Sequence, residues 1–181
     1  MSNQVQFSYQ IQPPGIASGK LTVLNKHVDF QITNISNPIY DLLKGLVNMI
    51  VEPKHLWDEE NICWVDWFSE TSCVKWILST TDGKNINIKI VTSPDIFDDS
   101  NAEVSLENHC GFMDFCYGIV AELDRFIKEL GLLNYEQTWR KDEFPLTYFL
   151  ILKKYLIEHE LWKESKVKPG NLIDEIDILN A

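Results

Sequence analysis

Between residues 5 and 11 apolar and polar side chains alternate without a break, Val5, Phe7, Tyr9 and Ile11 against Gln6, Ser8 and Gln10. Only a strand, whose side chains change face at every residue, collects those four apolar groups on one side. The chain therefore opens with a strand buried on one face and wet on the other, and such a strand needs partners. Pro13-Pro14-Gly15 stops it, because proline brings no ladder N–H and glycine permits a turn. A second strand fits Gly19–Leu24, Asn25-Lys26 fits the tight return, and Val28, Phe30 and Ile32 alternate against Asp29, Gln31 and Thr33 as a third. The first third reads as an antiparallel meander.

At Ser36-Asn37-Pro38 the period changes. A Ser or Asn oxygen caps an orphan N–H, proline at the first helical position loses no bond, and Ile39, Leu42, Leu43, Leu46, Val47 and Ile50 follow at three- and four-residue steps. These features predict a helix from Pro38 to about Val51, ended by Pro53. Ile62–Phe68 is aromatic and β-branched enough for a strand. Val74, Trp76 and Leu78, then Ile86, Ile88 and Ile90, alternate on either side of Asp82-Gly83, a pair that suits a type I′ hairpin turn. Ser93–Asn101 has the proline and short polar residues of a loop. One helix is expected from near Glu107 to Leu130, capped by Gly131, and another from Asp142-Glu143-Phe144-Pro145 to about His159. Leu172, Ile173, Ile176 and Ile178 lie in a loosely docked tail over 163–181. Adjacent strand pairs on short connections favour an antiparallel sheet over β-α-β units. The expected architecture is α+β, a single domain over 1–181 with an antiparallel sheet of about six strands and helices packed on one face.

The chain sets 16 Lys+Arg against 27 Asp+Glu, a net charge of -11. Nucleic-acid phosphates demand clustered cations, so no direct nucleic-acid contact is expected. The longest apolar run, Phe144–Ile157, is interrupted by Lys153-Lys154 and falls short of the roughly 20 residues a membrane span needs. Met1–Gln6 has no basic segment leading into an apolar one. The expectation is a soluble, cytoplasmic protein with no membrane contact. Cys63, Cys73, Cys110 and Cys116 are too sparse for a disulfide-stapled domain and read as reduced, buried thiols. His27, His55, His109 and His159 form no paired-ligand spacing and no glycine-rich phosphate loop is present, so neither a metal nor a nucleotide cofactor is expected. His109-Cys110, on a predicted helix, would diverge by about 100° and lacks a nucleophile elbow, which disfavours a base–nucleophile pair.

Residues 38–100 carry eleven acids and five lysines, whereas residues 1–37 carry one acid and two lysines. Within that acidic stretch Trp57-Asp58-Glu59-Glu60 and Asp95-Ile96-Phe97-Asp98-Asp99 set aromatics among carboxylates, with Asp66-Trp67 and Glu70 between them. Carboxylates steer a basic protein inward and aromatic side chains anchor it. Trp57, Asp58, Glu59, Glu60, Asp95, Phe97, Asp98 and Asp99 are accordingly the candidate partner-binding residues, expected on one surface. The plainer alternative is an ordinary acidic exterior with Trp57 or Trp67 tucked into the core.

The helix start Ser36-Asn37-Pro38-Ile39-Tyr40-Asp41-Leu42-Leu43, the Trp76/Leu78 strand, the Asp82-Gly83 turn and the Ile86/Ile88/Ile90 strand resemble small bacterial single-domain proteins of the toxin-immunity type, found in contact-dependent and polymorphic toxin systems. The resemblance covers roughly residues 36–156. It implies a cytosolic protein that neutralises one cognate, basic toxin domain by tight binding, without catalysis or cofactor. A small hydrolase with a site assembled from distant residues, and a structural or adaptor subunit, stand as the alternatives.

Overall fold

The alternating runs become strands in the computed structural model, which describes residues 5–57, 59–162 and 172–181. β1 (Val5–Gln12), β2 (Ile16–Val23) and β3 (Lys26–Thr33) form one antiparallel sheet in chain order. β4 (Asn61–Phe68), β5 (Cys73–Thr80), β6 (Asn85–Ser93) and β7 (Glu103–Gly111) form a second. The protein is α+β, as expected, but among the described residues seven strands make two sheets rather than about six making one. The inward row of β3, Val28, Phe30 and Ile32, is satisfied by stacking and not by an in-plane neighbour. Phe30 lies 5.0 Å from Trp67 and 6.3 Å from Trp76, which are themselves 4.4 Å apart. Gly19, opposite Phe30 in the ladder, leaves room for that ring: a Cβ there would come within 2.6 Å of it.

β3 runs diagonally between the edges of the second sheet. At its start Lys26 Nζ donates to the Glu107 carbonyl of β7, 3.0 Å away, and at its end the Gln31 carbonyl accepts from Ser69 Oγ beside β4. Two turns differ from expectation. The return between β2 and β3 is Leu24-Asn25, one residue earlier than Asn25-Lys26, because Val23 and Val28 must both face inward. The β5–β6 connection is the four-residue Thr81–Lys84, not a two-residue turn, since the Asp82 carboxylate gathers the Lys84 and Asn85 N–H groups at 2.8 Å each.

α1 (Pro38–Val51) lies along β4 and is fastened at both ends. Ser36 Oγ accepts from Phe68 N at 2.9 Å, and Asn61 Nδ2 donates to the Met49 carbonyl at 2.8 Å. Gly45 permits the close approach, since a Cβ there would collide with Cys63 Sγ. α2 (Phe112–Leu130) follows β7 directly and runs beside the edge strand β1, where Glu122 Oε1 accepts from Tyr9 N at 3.0 Å. Residues 107–111, expected as the start of that helix, are the end of β7. A short helix that the sequence did not announce, α3 (Leu132–Trp139), buries Tyr135 and Trp139 and ends at Arg140 in the left-handed region, φ 60. α4 (Leu146–Glu158) packs on α1 and α2; Asp142–Pro145, expected as its first turn, belong to no helix or strand. α5 (Leu172–Asn180) packs on α4, with Ile178 buried. The rest of the expected tail, residues 163–171, lies outside the described residues. Among the described residues no helix is long and apolar enough to cross a membrane.

The fully buried Lys153 of α4 joins three helices: its ammonium lies 2.7 Å from Asp124 of α2 and 3.1 Å from the Leu179 carbonyl of α5.

Candidate binding groove

The residues picked out for partner binding are exposed, but the two clusters do not meet. Trp57, 80% exposed, together with Glu59 and Glu60 sits before β4 at the Asn61–Thr80 end of the second sheet. Phe97, 92% exposed, with Asp95, Asp98 and Asp99 follows β6 at the Cys73–Ser93 end. The eight residues of β5, seven steps, separate those ends by about 23 Å at ~3.3 Å per step. The single surface expected from sequence is therefore two; Asp58 falls outside the described residues. Trp67 of the Asp66-Trp67 pair is fully buried.

The loop acids are also engaged locally. Asp95 Oδ1 accepts from Phe97 N and Asp98 Oδ1 from Ser100 N, each at 2.8 Å, and Asp99 is 2.6 Å from Lys75 Nζ. Hydrogen bonds from Ser100 hold the Asp98 carboxyl below its ordinary range. Their geometry builds the loop.

A concave acidic surface forms elsewhere. The first turn of α1, the end of β4, α3 and the irregular segment leading into α4 enclose an open groove of about 1480 Å³. Carboxylates of Asp41, Asp66, Glu136, Asp142 and Glu143 line it with a single lysine, Lys141, giving a lining charge of -4. Each wall follows from local structure. Helical spacing turns Leu42 and Leu43 into the core and leaves Tyr40 and Asp41 at the rim. Alternation along β4 points Asp66 away from buried Val65 and Trp67. Phe144, wedged between Tyr135 and Phe149 at 5.5 Å from each, pins the 142–145 backbone so that Asp142 and Glu143 face solvent. Lys141 reaches back to donate to the Ile35 carbonyl, closing the groove at one end.

Aromatic surface accompanies the charge. Tyr40 and Tyr148 meet edge to face at 5.4 Å, and the neighbouring Tyr40 hydroxyl raises the Tyr148 pKa. Lys44 Nζ sits 5.6 Å over the Tyr40 ring. Half-burial pushes the Asp41 carboxyl above its ordinary range, and Asp142 and Asp66 push it further, against the opposing pull of Lys44 and Lys141. In the groove wall Asn37 Oδ1 is buried and receives no hydrogen bond among the described residues. A cation carrying N–H donors fits this combination: it relieves crowded carboxylates, supplies hydrogen bonds and stacks on tyrosine.

Neither a histidine nor a thiol is among the described residues that line the groove. Burial, foremost, lifts the Cys63 and Cys73 thiols to about 11 and Cys110 to about 12, and raises Cys116 further, so all four are protonated near neutral pH. His109 and Cys110 are neighbours on β7 and not on a helix, hence on opposite faces, the histidine exposed and the cysteine buried. Cys63 pairs with Leu78 and Cys73 with Phe68 in the ladder, so the two do not sit side by side. Among the described residues no three His, Cys, Asp or Glu side chains converge as metal ligands.

Of the groove residues, Asp66 was noticed in the sequence for its neighbour Trp67, and Asp142 and Glu143 only as a helix start. Asp41, Glu136, Tyr40 and Tyr148 carried no local signal, since single acids and tyrosines on helices are ordinary surface. Comparison with protein-family models, curated proteins and solved structures returns no match to this chain.

Proposed function

We propose that this protein is a non-enzymatic binding protein that takes a basic protein partner into the groove between α1, β4 and α4. Its most concrete form is an immunity protein that covers the cationic surface of a cognate toxin domain. The observation that supports this reading is the groove's charge: five carboxylates with one lysine, among them Asp41, whose carboxyl burial and its acidic neighbours raise above the ordinary range. A guanidinium or ammonium entering between Asp41, Asp66 and Asp142 offsets their repulsion, and Tyr40 and Tyr148 offer it aromatic surface.

Where the gene immediately upstream encodes a large secreted protein with a variable C-terminal domain, that domain is the partner to purify, and a metabolic operon in its place counts against the immunity reading. Titration calorimetry is expected to show affinity that falls as salt rises from about 50 to about 500 mM. The double substitution Asp142→Lys, Glu143→Lys is expected to weaken binding at least ~10-fold, about 1.4 kcal/mol. Unchanged affinity removes the groove from this reading. The pair Asp98→Lys, Asp99→Lys tests the loop cluster in the same assay.

One observation favours a second reading, a small hydrolase. A carboxyl with a raised pKa beside other carboxylates is also how acid–base pairs are built. Turnover of a substrate that Asp41→Asn abolishes while binding persists would select it.

A further inference from the structure

The two sheets present open faces of different chemistry. On β1–β3 the outward side is what water requires: Gln6, Ser8, Gln10 and Gln12 along β1, with Lys20 opposite Asp29. On β4–β7 it is not. Ladder register and burial put Ile62, Trp64, Ile77, Val91 and Val104 on the side away from the core, with Trp64 68% and Val104 51% exposed. Helix α1 meets β4 on the opposite side, at Cys63 and Val65, and among the described residues no helix covers this face, which the loop after β6 reaches only through Asp99 on Lys75. One stray apolar residue on a surface needs no explanation, but two cross-strand pairs, Trp64–Ile77 and Val91–Val104, set diagonally across the four strands mark a contact.

Charge identifies the occupant. The face carries Asp66 and Glu107 against Lys75 and Lys89, with Asp99 of the 93–101 loop reaching Lys75 at 2.6 Å, a sum of -1 on a chain whose net charge is -11. Another copy of an acidic protein is repelled by most of this surface, yet this nearly neutral face offers Lys89 to its carboxylates and Asp66 and Glu107 to its lysines. Size agrees. Four strands ~4.8 Å apart and about eight residues long at ~3.3 Å each span roughly 19 by 26 Å. Two such faces bring together about 1,000 Å², the lower bound for a specific interface.

We propose that the open face of the β4–β7 sheet is the surface through which two copies of this chain associate, isologously and sheet against sheet. It borders the groove at Asp66 but does not depend on it, so the dimer and the proposed partner binding stand or fall separately.

Sedimentation velocity on the full chain from about 1 to about 200 μM, in ~150 mM salt, reads the association directly. The expected result is a reversible monomer–dimer equilibrium with a dissociation constant in the micromolar range. Trp64→Glu and, separately, Val104→Lys are each expected to raise that constant at least ~10-fold, whereas Gln10→Glu on the polar face leaves it unchanged. Circular dichroism establishes that each variant is folded; if Trp64→Glu is not, Val104→Lys decides. A monomer throughout the concentration range overturns the proposal. So does a dimer that neither substitution weakens, or one that Gln10→Glu weakens equally, and so does a monomer whose Trp64 face is protected only in complex with a different protein.

Discussion

Lys153 shows how one residue sets the cost of its neighbours. Its side chain is fully buried, and burial, the largest influence, lowers its pKa against the pull of Asp124. The ammonium also sits 5.0 Å over the Trp162 ring. Asp124, at the margin of the core, has a second cation, Lys128, at 3.0 Å. The two ends of the pair are therefore unequal. Asp124→Ala strands a buried charge and is expected to destabilise the fold by about 3–5 kcal/mol, whereas Lys153→Met leaves Asp124 with Lys128 and is expected to cost less than ~2 kcal/mol. Urea unfolding of both variants measures the difference. Asp82 is the opposite case, an exposed turn carboxylate. Hydrogen bonds, first from the Asn85 N–H, hold its pKa well below the usual carboxylate range. Its folded pKa lies under the ~3.9 of an unfolded aspartate, so its contribution is complete above about pH 4 and is lost as pH falls through the folded value. Asp82→Asn lacks that dependence. The difference in Tm between wild type and this variant is expected to be widest near pH 6 and to narrow toward pH 2.

At the scale of elements, period decides what a sequence discloses. β1, β3, β5 and β6 alternate cleanly and α1 repeats at helical steps, so each was readable from residue spacing alone. β7 was not. A bulge at Ile90/Val91 shifts its register, so Val104 points outward while Leu106 and Cys110 point inward, and the broken alternation merges with the helix that begins at Phe112. α3 escaped notice because eight residues with two buried side chains, Tyr135 and Trp139, are too few to display a period, and Gly131 looked like an ending. The β2–β3 turn offers a direct check. Leu24 occupies φ 56, a left-handed conformation that a leucine adopts at a cost of roughly 1 kcal/mol. Leu24→Asn suits that conformation and is expected to stabilise the protein by about 0.5–1 kcal/mol, read as a higher denaturation midpoint with an unchanged slope.

At the scale of the molecule, the acidic balance and the fold class were legible, but the groove was not. Its walls come from residues 35–41, 66–68 and 132–148, which only the packing of α4 against α1 brings together. Local clusters such as Trp57-Glu60 and Asp95-Asp99 catch the eye because they are contiguous, yet concavity arises from segments a hundred residues apart. The same long reach governs how β1 is protected. Its exposed edge is covered when Glu122 receives the Tyr9 N–H, a contact spanning 113 residues of chain. At translation rates of roughly 5–20 residues per second, the first sheet, complete once Thr33 is made, waits on the order of 4–18 seconds with that edge bare. Nascent chains halted before α2 thus offer a template to any passing strand, and chaperone demand during synthesis should drop once the codon for Glu122 has cleared the ribosomal tunnel.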